Sequence, residues 1–279
     1  MPTLWARPIQ RVILHSMLMV VSFLFLFPML YMVSTAVKAP GETMINPGII
    51  PHSVDLAKFV DVWQRAGVVR LGLNSLFITV STVGLVLLLG SLAAFAFSRL
   101  NFFGKSILQV LFLVSLMIPF ASVIVPLYQL NRSLSTMNTY MAVIGPYVAF
   151  GLPFAILFLR FYFDTLPQEL EEAARIDGAP TFIIYWRVLL PLTTPALATV
   201  AIFQALGAWN EFLLALLFLT RSDLRTLPTG AVHFQMMFGR QFEHMCALLL
   251  IISFPVVVLF LVLQKQFVAG LTTGAIKGS

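Results

Sequence analysis

Long runs of apolar residues constrain this chain more than any other feature. The first run, residues 12–37, holds 26 residues without Asp, Glu, Lys or Arg. A helix of about 20 apolar residues crosses the ~30 Å hydrocarbon core of a bilayer, so this run is long enough to span it. The sequence predicts six such spans, at residues 12–37, 73–98, 106–127, 139–159, 195–220 and 245–264. The predicted fold class is therefore an all-α polytopic membrane protein with a single transmembrane domain, residues 1–279.

Composition excludes most other classes. Hydrophobic residues make up 59% of the chain and charged residues only 10%, whereas soluble proteins are about 25% charged. The net charge of +6 comes from scattered Lys and Arg with no dense run. We therefore expect no nucleic-acid partner and attribute the charge to residues in loops and residues that face lipid. A lone cysteine, Cys246, excludes an internal disulfide, and four dispersed histidines predict neither a metal cluster nor an enzyme.

The orientation in the membrane is not set by charge. The first run is longer than a signal-peptide core and no small-x-small cleavage site follows it, which predicts a retained anchor. Six spans place both termini on one side. Lys and Arg number nine on the proposed inner side and eight on the outer, a balance too even for the positive-inside rule to decide.

One mixed polar segment, residues 166–194, interrupts the apolar runs between spans four and five; we call it the hairpin. Four acids and one base lie at helical spacing from Glu169 to Asp177. Pro167 suits a first helical turn and Gly178 suits a helix end at positive φ. A second short helix is predicted at residues 181–190. The small pair Ala173-Ala174 leaves room for another backbone, so the hairpin is predicted to fit a cleft in a partner protein.

Residues of the hairpin resemble a known motif. Glu172-Ala173-Ala174, then Gly178, Val188 and Leu190-Pro191, resemble the Glu-Ala-Ala loop of binding-protein-dependent ABC importers. Val188 replaces the commoner Ile, and the order Pro180-Thr181 reverses that of many relatives. The likeness extends to Asn74-Ser75, Ile118-Pro119, Pro126-Leu127-Tyr128, residues 163–178 and the terminal Gly-Leu-Thr-Thr-Gly-Ala-Ile-Lys-Gly. Together these resemble the second permease of carbohydrate importers of the maltose and glycerol-phosphate type.

The resemblance implies a type I ABC importer permease fold and a set of partners. These are a second homologous permease, an ATPase homodimer that binds ATP and Mg, an extracytoplasmic solute-binding protein, membrane lipid and a sugar substrate. No cofactor is implied in this chain, and Arg99 stands where a phosphate loop ending in Gly104-Lys105-Ser106 needs its first glycine. The hairpin and both termini would lie in the cytoplasm of a bacterium or archaeon. The implied ATPase-coupling residues are Glu171, Glu172, Ala173, Ala174, Arg175, Asp177, Gly178, Leu190 and Pro191.

Glu211 is the one acid inside a predicted span. A charge at mid-bilayer is costly, so its side chain is expected to face protein or water. Gln204, Gly207, Ala208 and Glu211 share one helical face. Two interpretations stay open: Gln204, Asn210 and Glu211 line a substrate pathway and offer acceptors to hydroxyl groups, or Glu211 bonds a neighbouring helix for assembly.

The sequence leaves several further points open. An amphipathic helix is predicted at residues 55–65. It contacts an external partner protein or lies at the membrane–water interface, and Trp63 is either a contact residue or an interfacial anchor. Pro119 and Pro126 are expected to break the third span, and proline-kinked spans suit a moving wall or a static bundle.

A secondary transporter normally shows several intramembrane ionisable sites and inverted repeats, and this sequence shows one acid and no repeat. The solute is a sugar, or instead a polyol or glycerol phosphate.

Overall fold

The computed structural model describes residues 8–238 and 241–275. The described residues form helices and contain no strand, only an isolated bridge between Lys38 and Val54. The helices are α1 Pro8–Val37, α2 Glu42–Ile45, α3 Ala57–Arg65, α4 Val68–Arg99, α5 Lys105–Ser115, α6 Ile124–Ser133, α7 Met141–Thr165, α8 Glu169–Ile176, α9 Thr181–Ile183, α10 Leu190–Leu192, α11 Thr194–Asn210, α12 Leu213–Phe218, α13 Leu227–Phe238 and α14 Phe242–Ala275. The predicted all-α fold class is confirmed.

Within the described residues, three single helices are long and apolar enough to cross a membrane. They are α1 from Gln10, α4 and α7, which match the first, second and fourth predicted spans. Two bent helix pairs raise the count to five if each pair is one span, and the apolar part of α14, Phe242–Val258, is shorter. The described residues thus give three to five candidate spans, and the division into six spans stays a prediction.

The third predicted span is sharply bent. Its two parts, Lys105–Ser115 and Phe120–Ser133, meet at 100°. Pro119 has an extended backbone (φ −63°, ψ 129°) and precedes a short 3₁₀ turn, because a proline has no N–H to continue the α5 ladder. The prediction that Pro126 also breaks the span was wrong. Pro126 lies in the first turn of α6, where no backbone donor is needed.

The fifth predicted span is interrupted as well. Helix α11 ends at Asn210, Glu211 is extended, and α12 begins at Leu213. A second bend of 76° separates Thr181–Leu192 from Thr194–Asn210. The prediction of one continuous helix over 195–220 was therefore wrong, and the interruption falls at the intramembrane acid.

The region before the last predicted span contains a helix and is not only a loop. Helix α13 runs over Leu227–Phe238. Its start is capped by a hydrogen bond from the Thr226 backbone N–H to Thr229 Oγ1 (3.0 Å), and Pro228 occupies the first turn, where it is favoured. Both signals are present in the sequence, but a proline in a polar stretch indicates a loop equally well.

The chain divides into two compact units, Met1–Val68 with Ala231–Pro255, and Val69–Gly230 with Val256–Ser279. In the first unit, the connection after α1 is tightly folded. Lys38 is fully buried and its Nζ donates to the carbonyls of Asn46 (2.8 Å) and Gly48 (2.5 Å). Glu42 accepts hydrogen bonds from the Ser53 hydroxyl (2.5 Å) and the His52 N–H (2.7 Å). These bonds lower the pKa of Glu42 to about 2.

The predicted amphipathic helix exists as α3. Asp55 Oδ1 accepts the Ala57 N–H (2.9 Å) at its start. The helix buries Val62 and Lys58 and leaves Val60 and Trp63 exposed. Burial lowers the pKa of Lys58, whose Nζ donates to the Lys38 carbonyl. Whether the exposed face meets a partner or lipid stays a prediction.

In the second unit, the core is built on α7. This helix continues through Pro146 and Pro153 and buries one side against α4, the hairpin and α11–α12. Edge-on and tilted aromatic contacts tie Phe95 of α4 to Phe163 of α7 and to Tyr185 of the hairpin, with ring centroids 6.2 and 5.2 Å apart. The hairpin therefore packs directly on the helices of its own unit.

Candidate functional sites in the hairpin and in a cavity beside Glu211

The hairpin is a helical elbow with a glycine at its turn. Helix α8 ends with the Gly178 N–H donating to the Arg175 carbonyl (3.0 Å) and the Ala179 N–H donating to the Ala174 carbonyl (2.9 Å). Gly178 has φ +78°, and a Cβ placed there meets no atom within 4 Å. The position thus requires glycine for its backbone conformation and not for lack of space.

Both hairpin helices differ in detail from their predictions. Helix α8 begins at Glu169. Pro167 therefore lies before the helix and not in its first turn, and Leu166 is extended (φ −78°, ψ 137°), as a residue before proline prefers. The second helix extends beyond residue 190 to Leu192 and contains a π-helical turn, Ile184–Leu189. Such turns are rare and occur mostly as single-turn bulges within helices.

The outer face of the hairpin combines charge, small residues and exposed apolar side chains. Ile176 is 87% exposed and Phe182 is 64% exposed, and the Phe182 ring stacks on that of Trp186 at 6.4 Å and 12°. The sequence indicates an aromatic second helix, yet only the structure separates exposed Phe182 and Trp186 from buried Tyr185. The exposed predicted coupling residues are Glu172, Ala173, Arg175, Asp177, Gly178 and Pro191.

Glu171 does not belong to that outer face. Its side chain is buried and forms an ion pair with Arg99 Nε at the end of α4, with Arg175 Nη2 at 3.9 Å on its other oxygen. Arg99 also donates from Nη2 to the Leu166 carbonyl (2.9 Å). The Glu171 carboxylate thus makes an internal contact that holds the hairpin to α4, and its role in ATPase coupling stays a prediction. No local pattern in the sequence indicates Arg99 as its partner.

The rest of the inner face joins the core. Tyr185 is 1% exposed, and its hydroxyl lies 2.8 Å from Ser91 Oγ of α4. Ala174 and Leu190 of the predicted set are half-buried against the same core. The elbow is thus packed against the core along one face and exposed along the other.

A second candidate site is a cavity of about 380 Å³ in the same unit. Its size falls in the range of small-molecule sites, ~300–1,000 Å³. Gln204, Gly207, Ala208 and Glu211 lie together on its wall, as their spacing predicts. The lining residues are Thr82, Phe120, Tyr147, Phe150, Gly151, Phe154, Phe203, Gln204, Gly207, Ala208 and Glu211.

Asn210 is not among the lining residues. Its side chain is exposed, and Nδ2 donates to the Leu206 carbonyl one turn earlier (2.9 Å). Adjacent residues of a helix point about 100° apart, so Asn210, the last residue of α11, faces a different side from Glu211.

Glu211 is engaged on both oxygens. Oε1 accepts the Leu214 N–H (2.9 Å) and Oε2 accepts the Ala215 N–H (3.2 Å), so the carboxylate caps α12. The Tyr147 hydroxyl of α7 donates to Oε2 as well. The interpretation of Glu211 as a bond between helices describes this geometry, and the same side chain also borders the cavity. Tyr147 was not predicted as its partner, because a tyrosine 64 residues away carries no local signal.

Gln204 approaches the α7 backbone at Gly151. Its Nε2 lies 3.5 Å from the Gly151 carbonyl oxygen, and a Cβ at Gly151 would clash with Gln204 Oε1. Glycine at 151 therefore makes room for the amide at the cavity wall. Thr82, on α4, is 1% exposed, and its hydroxyl has no hydrogen-bond partner among the described residues.

Several apolar helices and a polar elbow define the class of this chain: it is a multi-pass membrane protein. A family model described as the binding-protein-dependent transport system inner membrane component matches residues 86–272. The chain belongs to this family of ABC importer permeases, and it is a transporter subunit and not an enzyme.

Relatives and solved structures agree with that assignment. The arabinooligosaccharide transport permease AraQ of Halalkalibacterium halodurans is 37% identical over 263 residues, 92% of this chain and 93% of that protein. The trehalose/maltose transport permease MalG of Thermococcus litoralis is 34% identical over 277 residues, covering 97% and 98%. A chain of a bacterial ABC transporter involved in the import of the acidic polysaccharide alginate superposes with a TM-score of 0.84 at 21% identity, covering 95% of this chain and 99% of that one.

Proposed function

We propose that this chain forms half of the translocation pathway of an ATP-driven sugar importer. A second, homologous permease would form the other half, and an extracytoplasmic solute-binding protein would deliver the sugar. ATP and Mg would bind to a separate ATPase homodimer. The named relatives that serve arabinooligosaccharide and trehalose/maltose systems support a sugar or oligosaccharide as the solute.

The observation that carries the coupling part of the proposal is the two-sided hairpin. Its outer face exposes Glu172, Ala173 and Gly178 beside Ile176 and Phe182. Exposed apolar side chains rimmed by polar ones are typical of protein–protein interfaces. Its inner face is fixed to α4 by Arg99 and Glu171 and to the core by Tyr185.

On this proposal the hairpin works as a rigid joint. When ATP closes the ATPase dimer, the cleft that holds the outer face moves, and the hairpin moves with it. Because α8 and the following turn are bonded to α4 and packed on α7, the displacement passes into the spans. Glu172, Ala173, Ala174, Arg175, Asp177, Gly178, Leu190 and Pro191 would shape or support the joint, and Glu171 would hold it in place.

Cross-linking tests the joint directly. In a Cys246→Ser background, Ala173→Cys should form a disulfide with a cysteine scan of the ATPase surface in the assembled importer, because the outer face is expected to lie in its cleft. Phe103→Cys is the matched control: it lies in the turn between α4 and α5, is fully exposed, and stands outside the hairpin. Capture of the ATPase at Phe103 but not at Ala173 would contradict the proposal.

A further inference from the structure

We infer that helix α4 is a rigid rod that carries movement between the hairpin and a connecting segment at the opposite end of the helix. This segment, residues 219–226 between α12 and α13, is called the far connection. Asn74 is the positioning residue that fastens the far connection to the rod. The inference rests on the proposed function and adds to it a second fastened end. All the residues involved belong to one compact unit.

Asn74 and its neighbour hold the far connection with side chains that are almost completely buried. Asn74 is 6% exposed and Ser75 is 2% exposed. Asn74 Nδ2 donates to the carbonyls of Asp223 (2.9 Å) and Arg225 (2.8 Å). Ser75 Oγ accepts the Leu227 N–H (2.9 Å) at the start of α13. Both hydrogens of the Asn74 amide are therefore used on the backbone of the far connection, which fixes its path along the start of α4.

The same end of α4 is also joined to α7. Asn74 Oδ1 accepts the Tyr140 hydroxyl (2.8 Å) just before α7 begins. Asn138 Oδ1, in the same loop, accepts the Arg221 N–H (3.0 Å), and the Asn138 N–H donates to the Phe218 carbonyl (2.9 Å). The far connection is thus held both by α4 and by the loop that leads into α7.

The other end of α4 is fastened to the hairpin and again to α7. Arg99 forms the buried ion pair with Glu171, and Ser98 Oγ donates to Asp164 Oδ1 (2.5 Å) near the end of α7. Asn74 and Arg99 stand 25 positions apart on α4, which corresponds to about 37 Å of helix axis. Each end of α4 therefore carries one side-chain bond to the α7 region and one to a connecting segment.

Between its two ends α4 is one continuous helix. Sharp kinks in helices arise mostly at proline, at Gly-Ser pairs and at π-bulges. Helix α4 contains no proline, whereas the other three helices of 25 residues or more in the described ranges all do.

The one Gly-Ser pair of α4 is supported on two sides. A Cβ at Gly90 would stand 3.0 Å from the Ala155 Cβ of α7, and Ser91 Oγ lies 2.8 Å from the Tyr185 hydroxyl of the hairpin. Because the helix is packed where it would otherwise bend most easily, a displacement of the hairpin reaches the far connection.

Distances between spin labels test the rod without a transport measurement. The labels are carried by Glu169→Cys at the exposed start of α8 and Ser222→Cys in the exposed part of the far connection, in a Cys246→Ser chain within the assembled importer. Between the nucleotide-free and ATP-bound states their distance should stay constant to within about 2 Å, the scale of helix shifts at packed interfaces. A change of about 5 Å, one helical turn, would show that the far connection moves independently and would overturn the rod.

Two variants of one hydrogen-bond group separate the fastening from general disturbance. Asn74→Ala removes both donors to the far connection. The distribution of label distances should then broaden at least about twofold, since a segment that loses its buried contacts opens locally. Tyr140→Phe is the matched control: it removes the third bond of the Asn74 side chain, leaves both donors in place, and should not broaden the distribution. An unchanged distribution in Asn74→Ala would overturn the role of Asn74.

Coupling is the reading that a purely structural role would not change. In proteoliposomes, Asn74→Ala should lower the sugar taken up per ATP hydrolysed at least about fivefold, the lower end of allosteric couplings. ATP hydrolysis itself should continue, because Asn74 lies at the end of α4 opposite the hairpin. The sugar is whichever of trehalose, maltose and arabinotriose the unmodified importer takes up. Thr79→Val changes another buried polar residue of α4 and should leave the ratio unchanged. An unchanged ratio in Asn74→Ala would contradict the rod.

A double variant tests whether both ends act through one element. Arg99→Ala breaks the opposite end of the rod, so Asn74→Ala with Arg99→Ala should couple no worse than the weaker single variant. Additive losses would indicate two independent routes and overturn the rod. If the unmodified importer shows no ATP-driven uptake of the three sugars, that result contradicts the proposed function. The label distances in Asn74→Ala and Tyr140→Phe then still decide whether the rod exists.

Discussion

At the scale of single residues, Glu211 shows how an expensive side chain is accommodated within a span. Its carboxylate caps the N-terminal N–H groups of α12 and accepts the Tyr147 hydroxyl from α7. Three donors replace the water that the charge loses. The acid thus stabilises a helix break that apolar sequence on either side would not produce.

Substitutions of Tyr147 and of Glu211 should lower the free energy of unfolding by different amounts. Tyr147→Phe removes one hydrogen bond to a charged group, and we expect the free energy of unfolding to fall by about 1.5–3 kcal/mol. Glu211→Ala removes that bond and the cap and should cost more. Glu211→Gln keeps one acceptor oxygen and replaces the other with an NH2 donor, so its effect should fall between them.

Thermal unfolding of the purified complex in detergent measures these changes. A double variant, Tyr147→Phe with Glu211→Ala, should be no less stable than Glu211→Ala alone, because the two side chains act as one unit. Fully additive losses would show that they stabilise the fold independently.

At the scale of elements, the hairpin is joined to α4 by a buried ion pair and by the contact between the Tyr185 hydroxyl and Ser91. The side chains of Arg99 and Glu171 are each 7% exposed, so removal of one partner leaves an uncompensated buried charge. The joint therefore depends on Arg99 at the very end of a 32-residue helix.

Arg99→Ala should loosen the hairpin and uncouple it from α4. We expect a loss of about 3–5 kcal/mol in stability and faster hydrogen exchange across residues 166–178. Sugar uptake per ATP hydrolysed should fall. Glu172→Gln, at the exposed neighbouring acid, is the control for stability and exchange, and should leave both unchanged. Unaltered exchange in Arg99→Ala would argue that packing of Tyr185 alone fixes the hairpin.

At the scale of the whole molecule, a series of apolar helices predicts opposite membrane sides for two exposed positions. Ile45 of α2 is 89% exposed in the connection after α1, and Phe103 is fully exposed in the turn after α4. If α4 spans the bilayer, these two positions cannot share a side.

Labelling of intact cells checks this topology. In a Cys246→Ser background, a membrane-impermeant maleimide should modify Ile45→Cys from outside and should modify Phe103→Cys only after the membrane is opened. The reverse pattern would invert the proposed orientation and place the hairpin outside the cell.

Much of the architecture follows from the sequence because it depends on local chemistry. Runs of apolar residues require helices in lipid, since every backbone polar group must be satisfied within its own segment. Pro119 and Gly178 act through their own backbone preferences. The hairpin, the helix at Ala57–Arg65 and the shared face of Gln204 and Glu211 were predictable for the same reason.

The tertiary structure decided whatever depends on residues far apart in the chain. Glu171 and Glu172 are adjacent acids in the sequence, yet Arg99 draws one inward while the other stays exposed. Tyr147 and the α12 N–H groups hold the Glu211 carboxylate at the break between α11 and α12. Such pairings lie tens of residues apart, and only the packing of helices brings their side chains within bonding distance.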